Sequence, residues 1–211
     1  MSINSKVDLC NMAISLMGNT TSTVSNIDTP TNDKERVMAL WYDICRQFVL
    51  KLMMPNFALE RLIVSQLAET PAFGYAYFYE YPNTALKILG VGEIQEKMND
   101  YVIESTPTGV QAIAHDTDYT EGMPIRIIRD VTDINRFSPE TKLLLAQYLA
   151  AYTCMPITQD AVKAKKLKDE LPAEISTASG LNAQENRPVR ISNSRFKAAR
   201  VNFNPQTTDK R

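Results

Sequence analysis

Residues 32–55 read NDKERVMALWYDICRQFVLKLMMP, and this stretch decides the fold class. Val37, Trp41, Ile44, Phe48 and Leu52 recur at intervals of three and four, the period of one helix face. Asn32 and Glu35 have the spacing of a capping box. Asp33, Lys34 and Glu35 read as ordinary polar residues of a first turn. Pro55 ends the run, because it has no N–H to donate to the preceding turn. The first expectation is therefore a helix over 33–53 with Trp41 on its core face.

Upstream, residues 5–17 give a second helix. Ser5 and Asp8 have capping-box spacing, Leu9, Ala13, Leu16 and Met17 form an apolar stripe, and Gly18 supplies a left-handed stop. The segment 19–31 is rich in Thr, Ser and Asn and contains Pro30, which makes it a loop. Downstream, Phe57-Ala58 continues the core. Residues 59–67 fit an extended segment or a short helix, and periodicity does not separate the two. The stretch 71–82, PAFGYAYFYEYP, alternates Tyr75, Tyr77, Tyr79 and Tyr81 with other residues. Without interleaved basic residues it reads as a packed rim of the helical core or of a subunit interface rather than a base-stacking platform. Asn83 is placed to cap a short helix through Leu89.

The character then changes. Tyr101–Glu104, Val110–His115 and the PIRIIR run at 124–129 read as strands, joined by turns at Pro107–Gly109 and Asp118–Gly122. Ser138-Pro139-Glu140 opens another helix, with a cap, a proline at the first position and an acid in the first turn. That helix runs to about Cys154, with Pro156 as its breaker and Thr158 as the cap of a lysine-rich helix that Leu171-Pro172 kinks or stops. More helix follows to about Gly180. The expected fold is α+β, mainly α: a helical bundle with a small inserted antiparallel β-sheet and an extended C-terminal arm. The expected divisions are 1–98 and 136–181 for the two parts of the bundle, 99–135 for the inserted sheet, and 182–211 for the arm.

Composition sets the function classes. The chain has 211 residues, 44% of them hydrophobic and 22% charged, enough to bury a core without staples. The formal charge of −1 excludes a basic footprint over the whole chain. The charge is unevenly spread, however. Residues 176–211 hold seven basic residues against two acids, leaving 16 basic and 22 acidic residues for the remainder. The basic arm has few apolar anchors, among them Phe196 and Phe203, so it has no core of its own and is placed to lie across another surface. No run of eighteen apolar residues exists, and MSINSKVDLC has no basic-then-apolar signal pattern, so no membrane contact is expected.

Catalytic chemistry is thin. Cys10, Cys45 and Cys154 each fall within a helix pattern and read as small core residues. The single histidine, His115, has no serine or cysteine motif beside it and reads as a hairpin surface residue. Asp116, Asp118 and Glu121 lack the full ligand pattern of a calcium loop. Gly90 and Gly92 lack the third glycine of a dinucleotide fingerprint, and nothing places the pairs Glu93/Glu96 or Asp130/Asp133 in a pocket. The expectation is no enzyme, no catalytic residue, no metal and no cofactor.

Several of these residues, taken in order, resemble the head-to-tail adaptor, or tail tubular protein A, family of short-tailed bacteriophages. DLCNMAISLMGN at 8–19 resembles its opening helix, with Met17-Gly18 at the Ile-Gly position. Trp41-Tyr42 and Arg46–Leu50 resemble its second helix, which precedes an aromatic-Ala pair, here Phe57-Ala58. Tyr79, Tyr81 and Pro82 resemble its Tyr-x-Tyr-x-x-Pro stretch, and Tyr101-Val102, Ile125–Asp133 and Phe137-Ser138-Pro139 its sheet and re-entry helix. LAAYTCMPIT at 149–158 is the best local match. Asn56 stands where the family has Trp, and Thr84-Ala85 where it has Asp-Cys.

The resemblance spans roughly residues 5–175. It implies a virion structural protein assembled in the host cytoplasm: a homo-oligomeric ring of twelve between the portal protein and the tail nozzle. Such a ring extends the double-stranded DNA channel without sequence-specific binding. Arg187, Arg190, Arg195, Phe196, Lys197, Arg200 and Phe203 would then bind the portal or a neighbour, and Trp41, Phe57, Tyr79, Tyr81 and Pro82 would serve the core or an interface. The alternative is a nucleic-acid-binding module acting through the same basic arm. A hydrolase built on His115 is a third, weaker reading.

Overall fold

The computed structural model of the chain describes residues 3–18, 23–92 and 101–184. Four helices form the body: α1 (Lys6–Leu16), α2 (Asp33–Met53), α3 (Pro139–Thr158) and α4 (Ala161–Gln184). Among the described residues, six strands lie between α2 and α3: β1 (Leu59–Val64), β2 (Tyr77–Glu80), β3 (Ala85–Val91), β4 (Val102–Ser105), β5 (Gln111–His115) and β6 (Met123–Arg129). The fold is α+β and mainly helical, with an inserted antiparallel β region.

Local chemistry explains the helix ends. Ser5 Oγ accepts the Asp8 N–H at 3.1 Å, and the Asp8 carboxylate accepts the Ser5 N–H at 3.1 Å. Gly18 follows α1 with φ +72°, a conformation that only glycine enters without strain. Asn32 caps α2 by accepting the Glu35 N–H at 2.9 Å. Ser138 caps α3 with Pro139 at its first position. Asp160, not Thr158, caps α4, accepting the Lys163 N–H at 2.9 Å.

Two prolines do less than expected. Pro156 lies inside α3 rather than breaking it, and Pro172 lies inside a continuous α4. Pro156 sits in the final turn, so the bond it removes is one of the last in the helix. Two nearby hydroxyls donate back to helix carbonyls, Thr153 to Leu149 at 2.6 Å and Thr158 to Cys154 at 2.8 Å. α3 is the central helix and packs against α1, α2 and α4. Leu144, Leu145, Ala146, Leu149, Ala150 and Ala151 are all buried, and the alanines allow close approach of the neighbouring helices.

The strands form two three-stranded antiparallel sheets, with orders β1-β6-β3 and β2-β5-β4. The strand region reaches back to Leu59, well ahead of the expected sheet at 99–135, so residues 59–67 begin as strand rather than helix. The short helix expected from Asn83 to Leu89 is instead β3. Its ladder with β6 skips between Ala85 and Lys87 and again between Ile88 and Gly90. These irregularities put Leu86 and Leu89 against the helical core, and Ile88 and Val91 against the sheet core. Each pair is three residues apart, which mimics a helical period.

β6 joins the two cores. Ile128 belongs to the helical cluster, whereas Ile125 and Ile127 belong to the sheet cluster. Phe57 stacks on Phe137 with ring centroids 5.3 Å apart, closing the point where the chain leaves the bundle and returns to it. Arg46 is buried on α2. Its guanidinium is paired with the Asp130 carboxylate and donates to the Val131 carbonyl at 2.9 Å, tying the end of the sheet to the bundle.

Candidate interaction surface

α2 carries apolar side chains on two faces. The face turned inward holds Met38, Tyr42, Cys45, Val49, Leu50 and Met53. The stripe expected to face the core, Val37, Trp41, Ile44, Phe48 and Leu52, lies beside that face: Trp41 and Leu52 pack against the helical core, but the stripe turns outward at Ile44 and Phe48. Val37, Trp41 and Leu52 are half-buried, while Ile44 and Phe48 are 55% and 50% exposed. Leu40 adds a further 67%-exposed side chain one turn before Ile44. Leu40, Ile44 and Phe48 are spaced i, i+4, i+8 and make one ridge along the helix.

An aromatic ladder adjoins this ridge. Trp41 stacks on Tyr152 at 5.3 Å, Tyr152 on Tyr148 at 6.2 Å, and Tyr148 meets Phe48 at 5.4 Å. Lys168 of α4 sits over the Tyr152 ring, 5.2 Å from its centroid. Burial raises the Tyr148 phenol above its ordinary pKa, with Tyr152 and Cys45 adding to the shift. The ladder runs beside the exposed ridge and shares Phe48 with it. Tyr148 and Tyr152 are missed by a reading of α3 that attends to its alanines and leucines. Their i, i+4 spacing was the available signal.

The other residues singled out from the sequence do not converge on one site. Phe57 packs on the helical core. Tyr79 is fully buried in the sheet cluster, not on the rim of a helical core; its hydroxyl donates to the Thr117 carbonyl at 2.8 Å and accepts the Tyr119 N–H at 2.9 Å. Tyr81 donates to the Ala85 carbonyl at 3.2 Å, and the Pro82 carbonyl accepts the Ala85 N–H at 2.9 Å. These two residues shape the turn into β3. His115 is buried rather than on the hairpin surface. Its Nδ1 accepts the Thr117 N–H at 2.9 Å, which commits the ring to holding the β5–β6 turn.

Cys10, Cys45 and Cys154 are all buried. Desolvation pushes the Cys10 and Cys45 thiols up to about 12, far from the thiolate form that a nucleophile needs. Among the described residues no group of His, Cys, Asp or Glu is arranged to hold a metal ion. No helix among them is long and apolar enough to cross a membrane. Arg187, Arg190, Arg195, Phe196, Lys197, Arg200 and Phe203 lie outside the described residues, as do Glu93 and Glu96. No family model matches this chain, and no curated protein matches it significantly.

Proposed function

We propose that this chain is a structural subunit of a virion, a portal-to-tail adaptor. Copies assemble into a ring of twelve that continues the double-stranded DNA channel and docks the tail nozzle. The observation that supports this reading is the exposed ridge of Leu40, Ile44 and Phe48, which joins an aromatic ladder through Phe48. A contiguous apolar face of this kind costs solubility unless another protein covers it, and in a closed ring a second copy of the chain does so. The reading of the ring as an adaptor, with portal and nozzle partners and a twelvefold count, rests on the ordered series of motifs that resembles the adaptor family. In this reading the protein works by position, makes and breaks no bond, and needs no cofactor. Its body, with 16 basic and 22 acidic residues outside the last 36, lines a DNA conduit without gripping it. The basic arm then reaches a neighbour or the portal.

The test is native mass spectrometry of the chain alone and with portal, alongside a protein inventory of purified particles. The expected result is a ring mass on the portal and presence in the particle. The double variant Ile44→Glu/Phe48→Glu is expected to stay folded and fail to form the ring. A wild-type chain that stays monomeric with portal and is missing from particles overturns the reading. The competing nucleic-acid role rests on five basic residues between Arg187 and Arg200. It requires duplex binding that weakens steeply with salt, and a flat titration removes it.

A further inference from the structure

The turn between β5 and β6 is held by two buried side chains, and one of them can take up a proton. His115, the only histidine in the chain, is 4% exposed at the end of β5. A backbone amide can only donate, so the Thr117 N–H, 2.9 Å away, fixes His115 Nδ1 as an acceptor without a proton. The Thr117 carbonyl is held by the Tyr79 hydroxyl, which also accepts the Tyr119 N–H. The Tyr119 ring meets both side chains, with centroids 5.6 Å from the imidazole and 6.0 Å from the Tyr79 ring. An asparagine at 115 would make the same bond two residues on, as in an Asx-turn, and would not titrate. Histidine makes the bond conditional on its own charge, and its ordinary titration falls between about pH 5 and pH 8.

The groups around the imidazole supply no counter-charge inside the sheet. Tyr77 of β2 is its cross-strand partner, and on the β4 side Tyr101 precedes the Val102–Ala114 pair. Asp116, Asp118 and Glu121 lie on the turn and are exposed. Glu80 and Glu104 pair with Ala112, toward the other end of β5. β2, β4, β5 and the turn carry no lysine or arginine, and the first cation of β6 is Arg126. Among the described residues no carboxylate forms an ion pair with His115.

We propose that His115 is a proton-sensitive clasp on the β5–β6 turn. A proton added to Nδ1 sets two N–H donors against each other and takes the partner from the Thr117 amide. The imidazolium is then a buried cation, and it moves out toward Asp116, Asp118 and water. Residues 116–119 follow it away from the Tyr79 hydroxyl, while β5 keeps its ladders to β2 and β4. The closed turn binds one proton fewer than the open turn, so the closed state loses stability as pH falls. This device does not depend on the adaptor reading.

Hydrogen exchange of single amides in the full chain, read by NMR and corrected for the intrinsic pH dependence of exchange, tests the proposal. Protection at Thr117 and Tyr119 is expected to fall about tenfold per pH unit once His115 titrates, the slope of one proton. Protection at Ile113 and Ile127 is expected to hold over the same range. The ring nitrogen shifts of His115 should show Nδ1 bare while the turn is closed and both nitrogens protonated once it is open. His115→Asn keeps an acceptor for Thr117, and its profile is expected to be flat. Asp116→Asn/Asp118→Asn keeps the histidine, and its slope is expected to remain, which serves as the test if His115→Asn does not fold. A flat wild-type profile overturns the proposal, as does a proton on Nδ1 in the closed turn. A slope that survives in folded His115→Asn, or disappears in Asp116→Asn/Asp118→Asn, assigns the effect to the carboxylates and overturns it too. So does loss of protection at Ile113 with the same slope, which would be unfolding of the whole sheet.

Discussion

Glu35 shows how much a single side chain can hold. It is fully buried, and both of its oxygens are used. One accepts the Ser25 and Asn26 N–H groups and the Ser25 hydroxyl; the other accepts the Thr31 and Asn32 N–H groups and the Thr31 hydroxyl. Its spacing from Asn32 was legible as a capping box. Its grip on the loop before α2 was not, because those donors come from backbone that no periodicity describes. The hydrogen bonds from the Thr31 backbone, then from Ser25, hold its carboxyl well below the ordinary value of 4.5. A carboxyl lowered in the folded state stabilises the fold above its unfolded pKa, and that contribution drains away as pH falls toward the folded value. Glu35→Gln is therefore expected to have a lower urea midpoint at pH 7, and the gap from wild type should narrow below about pH 5. A gap that stays constant down to pH 2.5 contradicts this. Arg46 is the cationic counterpart. Burial works against its charge, and Asp130 and Asp43 outweigh that penalty. Arg46→Met leaves Asp130 without its cationic partner and is expected to cost about 3 kcal/mol in chemical denaturation, the low end for a broken buried pair because Gln47 still donates to Asp130 and its carboxylate still reaches water.

The four helices and the antiparallel character of the insertion were legible at the level of elements, because caps and apolar periods are local signals. Three readings failed for physical reasons that involve more than one element. α2 has two apolar stripes, and the one richer in large hydrophobics is the outer one. Which stripe faces inward is decided by α1 and α3, which bury Met38, Tyr42 and Leu50 instead. β3 spaces its leucines like a helix because its ladder is irregular. The candidate surface itself depends on pairing Trp41 and Phe48 of α2 with Tyr152 and Tyr148 of α3, which no single stretch of sequence displays. A paired measurement checks the orientation of α2. Leu50→Ala, at a fully buried position, is expected to lose about 2–5 kcal/mol. Ile44→Glu, on the outer ridge, is expected to move stability by no more than about 0.5 kcal/mol. Similar losses for both would mean that the ridge is packed inside the subunit, leaving no face for a neighbour.

In the whole molecule, the bundle and the sheets share structure rather than merely touching. β6 places Ile128 in the helical core and Ile125 and Ile127 in the sheet core. That sheet core also takes Tyr79 from β2 and Ile113 from β5, so the second sheet is tied to the first through shared side chains. An isolated bridge between Gln66 and Tyr79 adds a backbone link. A three-stranded sheet needs a hydrophobic face or a helix packed against it to be stable in water, and the core these strands share is small. The second sheet's outer cluster is smaller still, consisting of Phe78, Ala112 and Ala114 with Leu67 and Tyr75 against them. The β region therefore draws its stability from the bundle, and the bundle gains Ile128, Leu86 and Leu89 in return. From this sharing, unfolding is expected to be one cooperative event. Trp41 is the only tryptophan and lies in the bundle, so its fluorescence reports the helical part alone. Native-state hydrogen exchange supplies the other probe. The amides of Ile113 in β5 and Leu145 in α3 are expected to open with the same free energy, equal to that from Trp41 fluorescence in urea. If Ile113 opens at a clearly lower free energy while Leu145 stays protected, the sheets unfold on their own and the coupling through β6 is too weak to make one unit. A rigid subunit also requires this coupling, because a β region that opened separately could not hold a fixed position against a neighbour packed on α2.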